Sequence, residues 1–454
     1  MAIFAALSIA SQALLSNTTA INTTNKNISN VYNEDYSREE AVFSDVPGGG
    51  VSIETIRRIF DRALFRRFIS QNQENASLQE YRGVLEQVES VFNDLQGSGF
   101  AKELEEFFSV MNDIAVNPDD IAARAELISV AKSLVGRIRD SYDTLQEIKS
   151  VSVKKIKDQV KLLNEDLAHL AEINKNIKIF QSSPEKLNTY LNERDKLLKE
   201  ISGLIETKIT FNEDGSVNVY TAKGFALVID SEAKEVTFEE VGGDPKISIN
   251  GTDLTGEIQG GSIGGLLKGV SFINDVVDKL NTFTSSFANR VNLTHEGGLD
   301  LYGNTGTPFF LAGGGASPPP KASNIIVNPL IEEDPKKIAA AKDPNYLNSD
   351  NQNILDMIEL KDGKWPELNN MSFEEYYTSE IVTPIGTELE HTKNLAEESQ
   401  FLLESIDEKV KELSSVNMDE ELVNLTRFQR AYEAAARIVT VTDELLQTIL
   451  GMVG

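Results

Sequence analysis

The strongest constraint on the fold is a regular spacing of apolar residues near both ends of the 454-residue chain. At each end, eight positions follow one another at alternating steps of four and three residues, and most are apolar. This spacing indicates a helix with one apolar seam, the kind that packs in coiled coils. Each seam spans about 30 residues, or roughly 45 Å of helix, and needs a partner to bury it. The N-terminal seam consists of Ile3, Leu7, Ala10, Leu14, Asn17, Ile21, Thr24 and Ile28. The C-terminal seam consists of Leu425, Phe428, Tyr432, Ala435, Val439, Thr442, Leu446 and Ile449.

Two packing arrangements fit these seams. Both helices can be ordinary core helices of one globular unit, or they can pair with each other and with neighbouring copies of the chain. The second arrangement is favoured because end segments usually fray unless they are docked, yet these two hold the most regular seams in the sequence. Asn417 is expected to cap the C-terminal helix, and Gly451 is expected to mark its end.

Composition excludes several classes of partner and site. The formal net charge of −28 disfavours binding to nucleic acid, because phosphates would be repelled. The absence of cysteine excludes a disulfide framework and any thiolate metal site. No run of 18 apolar residues occurs, so no membrane span is predicted. The first charged residue is Lys26, and an apolar start without a basic residue disfavours a cleaved secretory signal.

The middle of the chain predicts a helical domain interrupted by a small β insertion. Residues 206–260 change from helical spacing to period two, and Asp214-Gly215 and Asn250-Gly251 are hairpin dipeptides. Residues 296–375 are rich in Gly, Pro and Asn, which is typical of loops with short elements. The predicted fold class is mainly α with a small β insertion: an elongated multi-domain chain with a helical-bundle domain, a small antiparallel β domain, and N- and C-terminal helices forming a coiled coil. The predicted segments are 1–75 (N-terminal helix and extended segment, pairing with 413–454), 76–205 (helical domain), 206–260 (β domain), 261–295 (helix returning to the helical domain), 296–375 (loop-rich insertion), 376–412 (helix of the helical domain) and 413–454 (C-terminal helix).

Candidate catalytic motifs are incomplete. His295-Glu296 begins like a metalloprotease motif, but position 299 holds Leu299 where that motif needs His, so ordinary loop or surface histidines are predicted. The glycine run at 260–265 lacks the Gly-Lys-Ser/Thr of a phosphate loop and predicts a flexible entry into a helix. No Ser-His-Asp order or carboxylate pair is distinguishable among the 71 acidic residues. A non-enzyme without a metal or cofactor is therefore expected.

A short polar motif follows the N-terminal seam. Asn27-Ile28-Ser29-Asn30, followed by Tyr36-Ser37-Arg38, resembles the signature shared by flagellar rod, hook and junction proteins. The signature residues are Asn27, Asn30, Tyr36, Ser37 and Arg38. Residues 33–35 read Asn-Glu-Asp where these proteins usually have Thr-Pro-Gly. Because Asn and Asp tolerate a left-handed backbone, a turn is still expected there.

Further segments resemble one family of these axial proteins. They are Asn117-Pro118 with Arg124, the stretch 191–197 around Arg194, the glycine run 260–267, the series Asn292, His295, Gly298, Asp300, Gly303, Gly306, Phe309 and Phe310, and the stretch 417–436. Together they make the chain similar to the family of flagellar hook-associated protein 1, which forms the junction between hook and filament. The resemblance covers nearly the whole chain.

The resemblance implies a structural, secreted motility protein of the bacterial flagellum, exported through the flagellar type III apparatus to an extracellular location. Its terminal segments would be largely disordered in the exported monomer and would fold as the axial coiled coil on assembly. The implied partners are further copies of itself, hook protein, hook-associated protein 3 and a type III export chaperone that binds the C-terminal helix. The residues expected to form the axial polymerisation seam are Ile3, Leu7, Leu14, Ile21, Ile28, Leu425, Phe428, Tyr432, Val439, Leu446 and Ile449.

Two other functions remain open. Another flagellar axial protein, such as hook-associated protein 3 or a flagellin-like protein, would share the terminal helices, but the glycine- and histidine-containing segment 292–310 argues against it. A secreted enzyme carried on a flagellin-like scaffold is the alternative from a different class. The incomplete metal motif and the small size of the β insertion argue against that function.

Overall fold

A computed structural model describes residues 2–47, 49–92 and 99–453. It is 66% helical and contains four small antiparallel sheets among the described residues, which confirms the predicted mainly α class. Within the same residues, no helix is both long enough and apolar enough to cross a membrane.

The helices account for most of the described residues, and the strands lie in the longer connections between them. They are α1 Ala2–Ser29, α2 Arg62–Phe92, α3 Phe100–Val116, α4 Ile121–Ile179, α5 Pro184–Leu204, α6 Gly261–Glu296, α7 Pro329–Glu333, α8 Gln352–Glu359, α9 Phe373–Tyr376, α10 Thr383–Ser414 and α11 Met418–Val453. The strands are β1 Glu39–Asp45, β2 Val51–Arg58, β3 Thr207–Phe211, β4 Val217–Thr221, β5 Ala226–Ile229, β6 Glu232–Ala233, β7 Val236–Val241, β8 Asp244–Ile249, β9 Thr252–Asp253, β10 Phe310–Ala312 and β11 Ile325–Val327.

Helix α4 is the longest helix among the described residues. Its 59 residues give a length of about 88 Å, which makes the fold elongated. Asp120 caps its first turn, because the carboxylate accepts hydrogen bonds from the backbone N–H groups of Ala122 and Ala123. Apolar residues recur along one side as far as Ile177, and α3, α5 and α6 pack on that side.

The β insertion is two sheets rather than one. Strands β3 to β6 form a four-stranded antiparallel sheet, and β7 to β9 form a separate three-stranded one. Two asparagines of α4 hydrogen-bond both sheets to that helix. The side chain of Asn174 donates to the carbonyl of Val217 (2.8 Å) and accepts from its N–H (2.9 Å), and Asn164 makes the same pair of bonds with Val236. Each amide therefore continues the backbone pairing of a strand, which holds both sheets against the helical domain.

Residues 296–375 have short elements, as expected, but they are not a peripheral loop. The β10–β11 hairpin and helices α7 and α8 place their apolar side chains in the same continuous core as the helical domain. The shared aromatic cluster of this core consists of Phe107, Phe108, Phe283, Phe287, Phe309, Phe310 and Phe373.

Two local expectations are wrong, and one strand was not predicted. The glycine run at 260–265 is not a flexible helix entry: a Cβ on Gly261 would touch the backbone of Leu204, and one on Gly265 would touch the carbonyl of Ser77. These glycines allow α6 to pack closely against α5 and α2. Gly451 does not end the last helix, since α11 continues to Val453. Strand β1, which pairs with β2, has no counterpart in the sequence prediction.

Candidate assembly site where the two ends meet

Helices α1 and α11 pack against each other, so the first and last helices of the chain lie together. Three small side chains of these two helices are buried: Ala10, Ala20 and Ala435. The polar residues at seam positions are buried as well. Asn17 donates to the carbonyl of Ala13 (2.8 Å), and Thr442 donates to that of Ile438 (2.7 Å). The side chains of Asn17 and Thr442 are therefore satisfied within their own helices.

The larger predicted seam residues are only partly covered in the single chain. The five on α1 (Ile3, Leu7, Leu14, Ile21 and Ile28) are half-buried, as are Leu425, Phe428, Val439 and Leu446 on α11. Tyr432 and Ile449 are 40% and 45% exposed. The pairing of α1 with α11 thus leaves apolar surface on both helices.

The β1–β2 hairpin lies across the two helices and contacts both. The hydroxyl of Ser16 on α1 donates to the carbonyl of Val51 (3.0 Å), and the ring of Phe43 lies 6.0 Å from that of Phe428 on α11. The connection between the N-terminal helix and the rest of the chain is therefore itself part of the paired structure.

Asn27 is the centre of a buried cluster that joins the two ends, here called the polar lock: Asn27, Tyr36, Arg38, Glu39 and Glu421. The Asn27 side chain is 1% exposed, and its oxygen accepts from the Tyr36 hydroxyl (2.7 Å) and the Glu39 N–H (3.0 Å). Its nitrogen donates to the Glu39 carbonyl (2.9 Å) and to a carboxylate oxygen of Glu421 on α11 (3.0 Å). Every donor and acceptor of this amide is thereby used.

Both carboxylate oxygens of Glu421 bind the N-terminal segment. Oε2 accepts from Asn27, and Oε1 accepts from the guanidinium Nε of Arg38 at 2.7 Å. The backbone N–H of Arg38 also donates to the carbonyl of Ser414 (2.8 Å), at the end of α10. Asn417 caps α11 as predicted, since its side chain accepts from the N–H of Asp419 (3.0 Å). The start of α11 is therefore fixed to the signature segment by charged and neutral hydrogen bonds.

Burial affects the ionisation of two members of the polar lock, Glu39 and Tyr36. It raises the pKa of the Glu39 carboxyl, although the ammonium of Lys26, 2.7 Å away, opposes that rise. It also raises the pKa of the Tyr36 hydroxyl, with the carboxylates of Glu39 and Glu421 adding to the effect. Tyr36 consequently keeps its proton and serves as the donor to Asn27.

A second buried network connects the signature to the helical domain. Arg58 donates to the hydroxyl of Ser37 (2.9 Å) and to the Asp195 carboxylate (2.7 Å). Asp195 also accepts from Arg194, whose guanidinium reaches the carbonyl of Gly215 in the β3–β4 turn. Burial lowers the pKa of Arg58, and Asp195 counteracts that change. The two arginines share one carboxylate, so Asp195 neutralises charge that would otherwise be buried unpaired.

Two parts of the signature behave differently from the lock. The side-chain nitrogen of Asn30 donates to the carbonyl of Lys26 (2.9 Å) and to Ser29 at the limit of hydrogen bonding (3.5 Å), and its oxygen accepts from the side chain of Asn33 (3.3 Å). The turn at 33–35 does not use a left-handed residue. It closes through hydrogen bonds from the N–H groups of Tyr36 and Asp35 to the backbone and side-chain oxygens of Asn33 (3.1 and 3.2 Å).

Sequence reasoning missed Glu39, Arg58 and Glu421. Glu421 lies in the stretch 417–436 of the family resemblance, but nothing distinguished it from the other acidic residues in the first turn of α11, and its partner Asn27 is 394 positions away. A single sequence contains no signal for a contact of that separation.

His295 corrects another expectation, because it is neither a loop nor a surface residue. It lies on α6 and is fully buried. Its Nδ1 donates to the carbonyl of Thr307 (2.6 Å), and its Nε2 accepts from the N–H of Ala339 (2.9 Å). Burial lowers its pKa to about 4. Among the described residues, no group of three or more His, Asp or Glu side chains could hold a metal.

Arg124, another residue of the family resemblance, has a similar structural role. It is fully buried and donates to the carbonyls of Pro118 (2.6 and 2.8 Å) and Ile338 (2.6 Å). Burial lowers its pKa to about 10. The guanidinium thus ties the turn before α4 to the segment 296–375.

Comparisons with known proteins agree with this arrangement. A family model described as the flagellar hook-associated protein FlgK helical domain matches residues 85–310, and one described as the flagellar basal body rod FlgEFG protein C-terminal matches residues 410–452. Flagellar hook-associated protein 1 of Bacillus subtilis (strain 168) is 24% identical over 99% of this chain and 98% of its own length. That of Escherichia coli (strain K12) is 22% identical over 95% and 97%.

One solved structure supports the fold. The flagellar hook junction protein FlgK from Burkholderia pseudomallei matches with a TM-score of 0.50 and 22% sequence identity. The match covers 54% of this chain and 46% of that one.

The fold and the site define an elongated structural protein whose first and last helices pair. The full-length relatives and the helical-domain match make the assignment specific: the chain belongs to the family of flagellar hook-associated protein 1. It is a structural component at the junction of hook and filament and not an enzyme, because that family is structural.

Proposed function

We propose that the chain polymerises into the flagellar axis through the paired helices α1 and α11. The observation that carries this proposal is the apolar surface that the pair leaves uncovered. Large apolar side chains are exposed on both helices, among them Phe4 (67%) and Leu15 (69%) on α1 and Val423 (68%) and Met452 (81%) on α11. Neighbouring copies in a tube would bury this surface, as they would the half-covered seam.

The same surface suggests how assembly is timed. An isolated pair of helices with an incomplete seam loses much of its stabilisation, so the ends can remain disordered during export and fold when neighbours supply the missing contacts. We propose export through the flagellar type III apparatus, with a chaperone covering α11 beforehand. Further copies of the chain, hook protein and hook-associated protein 3 are the proposed partners in the flagellum.

Replacement of Val439 by Glu tests the role of the seam. Val439 is a half-buried seam residue of α11, so a carboxylate there should prevent pairing and abolish incorporation of the chain into hook–filament structures. Thr440→Glu adds the same charge at the next position, which is exposed, and is the matched control. Both variants would be expressed in a strain lacking the wild-type chain, and incorporation measured in purified hooks.

The expected result is loss of filaments with Val439→Glu and retention with Thr440→Glu, while circular dichroism shows that the central helices remain folded. Normal incorporation of Val439→Glu would contradict the proposed role of the seam. Equal loss in both variants would also contradict it, because added charge on α11 would then act regardless of the seam.

A further inference from the structure

We propose that the helical domain carries a second contact between copies, in which an arginine patch on one copy binds an acidic face on the next. The arginine patch is Arg62, Arg66 and Phe211. The acidic face is Phe401 with Glu397, Glu398, Glu404 and Glu408 on α10. This inference rests on the proposed assembly of the chain and adds an interface away from the paired terminal helices.

The arginine patch concentrates positive charge in a chain whose net charge is −28. Arg62 and Arg66 are exposed, and each guanidinium carbon lies 5.6 Å from the ring centre of Phe211. Across the described part of the chain, neither arginine has a carboxylate within 4.0 Å. One oxygen of the nearby Asp61 carboxylate caps the helix, accepting from the N–H groups of Ala63 and Leu64.

The position of these arginines is unfavourable for α2 itself. They lie in its first two turns, where the helix dipole disfavours positive charge, and the first turn contains no acidic residue. The dipole of α2 therefore does not favour these two guanidinium groups. Arg62 and Arg66 offer two exposed guanidinium groups, held over the half-buried ring of Phe211, to an external partner with carboxylates.

The acidic face has the complementary chemistry. Phe401 is 70% exposed, well above Leu395, Leu402 and Leu413 on the same helix. Positions three, four and seven residues away on a helix share its face, and in α10 these include Glu397, Glu398, Glu404 and Glu408. All four are exposed, and within the described residues none of them forms an ion pair. An exposed phenylalanine ringed by carboxylates fits a surface that combines arginines with an aromatic ring.

The two surfaces lie on opposite sides of α2. Helical rotation places Arg62 and Arg66 on the side of Gln73, whose side chain accepts from the N–H of Thr207 on β3 (2.9 Å). Gln71 and Asn75 project from the other side, toward α10. They donate to Ser399 (2.7 Å) and Gln400 (2.9 Å) there.

Contact within one chain is thereby excluded, and contact between copies joins two different surfaces. Such head-to-tail contacts repeat from copy to copy and generate a ring or a helix. That is the symmetry a tubular junction requires, so a second copy of this chain is the occupant that fits.

Charge exchange is the first test. In a strain lacking the wild-type chain, Arg62→Glu with Arg66→Glu should lower the amount of chain in purified hooks at least about tenfold, because like charges would face each other. Glu404→Arg with Glu408→Arg should do the same, and all four changes in one chain should restore incorporation. Wild-type incorporation of either reversed variant would overturn the proposal.

Disulfide cross-linking is an independent test. The chain has no native cysteine, so only introduced cysteines can form disulfides. Ala63→Cys and Ser405→Cys together leave the patch and the acidic face intact and place thiols beside them. Oxidation of purified hooks should give a ladder of disulfide-linked oligomers. Ala63→Cys with Ser150→Cys on α4 is the matched control and should give none.

The outcomes separate this inference from the proposed function. A ladder with the Ala63/Ser405 pair supports the second contact even if the charge exchange does not restore incorporation. A chain that is incorporated but gives no ladder refutes the second contact and leaves axial assembly intact. Absence of the wild-type chain from hook–filament structures would refute the proposed function itself.

Discussion

Acidification should destabilise the helical core through His295. The folded state holds this imidazole neutral, because burial lowers its pKa from 6.5 to about 4. In the unfolded chain the same group takes up a proton below about pH 6.5. The unfolded state therefore binds more protons between these values, and the free energy of unfolding falls as the pH drops through this range. The stabilising contribution is complete above about pH 6.5 and is lost by about pH 4.

The difference between the two pKa values corresponds to roughly 3 kcal/mol. His295 is fully buried, so solvent does not screen this effect. Protonation also puts a donor on Nε2, where the ring now accepts from the Ala339 N–H, and it adds a cation near the buried guanidinium of Arg124. Both consequences oppose protonation in the folded state.

The measurement is urea unfolding from pH 7 to pH 4, followed by the fluorescence of the single tryptophan, Trp365, which packs against the same core. His295→Gln removes the titrating group and retains an acceptor, so its stability should depend less on pH, by roughly 3 kcal/mol over this range. His391→Gln removes an exposed histidine of α10 and should follow the wild type. Parallel curves for the wild type and His295→Gln would show that His295 is not held neutral by the fold.

Three further substitutions test the packing and the polar networks by urea unfolding or hydrogen exchange. Gly265→Ala should lower the free energy of unfolding by at least about 2 kcal/mol, because the added methyl group would meet the Ser77 carbonyl. In the control Gly83→Ala in α2, the methyl group meets nothing within 4 Å and should raise the free energy of unfolding by about 0.5–1 kcal/mol. Equal effects would contradict the close packing of α6. Asp195→Asn should destabilise by about 3 kcal/mol, because the buried guanidinium groups of Arg58 and Arg194 lose their shared anion; a neutral effect would mean that solvent reaches them. Asn27→Asp should lower incorporation into hooks and speed amide hydrogen exchange at the start of α11 in assembled hooks, because a carboxylate cannot donate to Glu421. The control Asn30→Asp should change neither the incorporation nor the exchange.

Periodicity predicted those parts of the fold that repeat along the chain. The terminal seams were visible because Leu425, Phe428 and Val439 recur at helical spacing, and the β hairpins because Asp214-Gly215 and Asn250-Gly251 require left-handed glycines. The core position of residues 296–375 was not visible, since Phe309, Phe310 and Ile331 lie in short elements between turns and follow no period.

The polar contacts were hidden for a different reason. Asn27 could be selected by its motif, but its role depends on Glu421, which only the folded chain brings within 3.0 Å. His295 was misplaced because a histidine beside glycines resembles a loop residue, whereas two backbone groups from Thr307 and Ala339 satisfy it in the core. Long-range partners of this kind determine burial, and local sequence does not encode them.

The polar lock and the seam act on different features of the paired helices. Apolar side chains at a spacing of four and three can pack again after a slip of seven residues, so the seam alone does not define the axial register of α1 and α11. The bonds of Asn27 cannot survive even one helical turn, about 5.4 Å, because its amide must reach Tyr36, Glu39 and Glu421 together. A buried polar group that is satisfied in a single arrangement specifies that arrangement. The polar lock therefore sets the register at one end of the pair of helices. The uncovered apolar surface of the seam then has a fixed axial position, at which neighbouring copies can bind it.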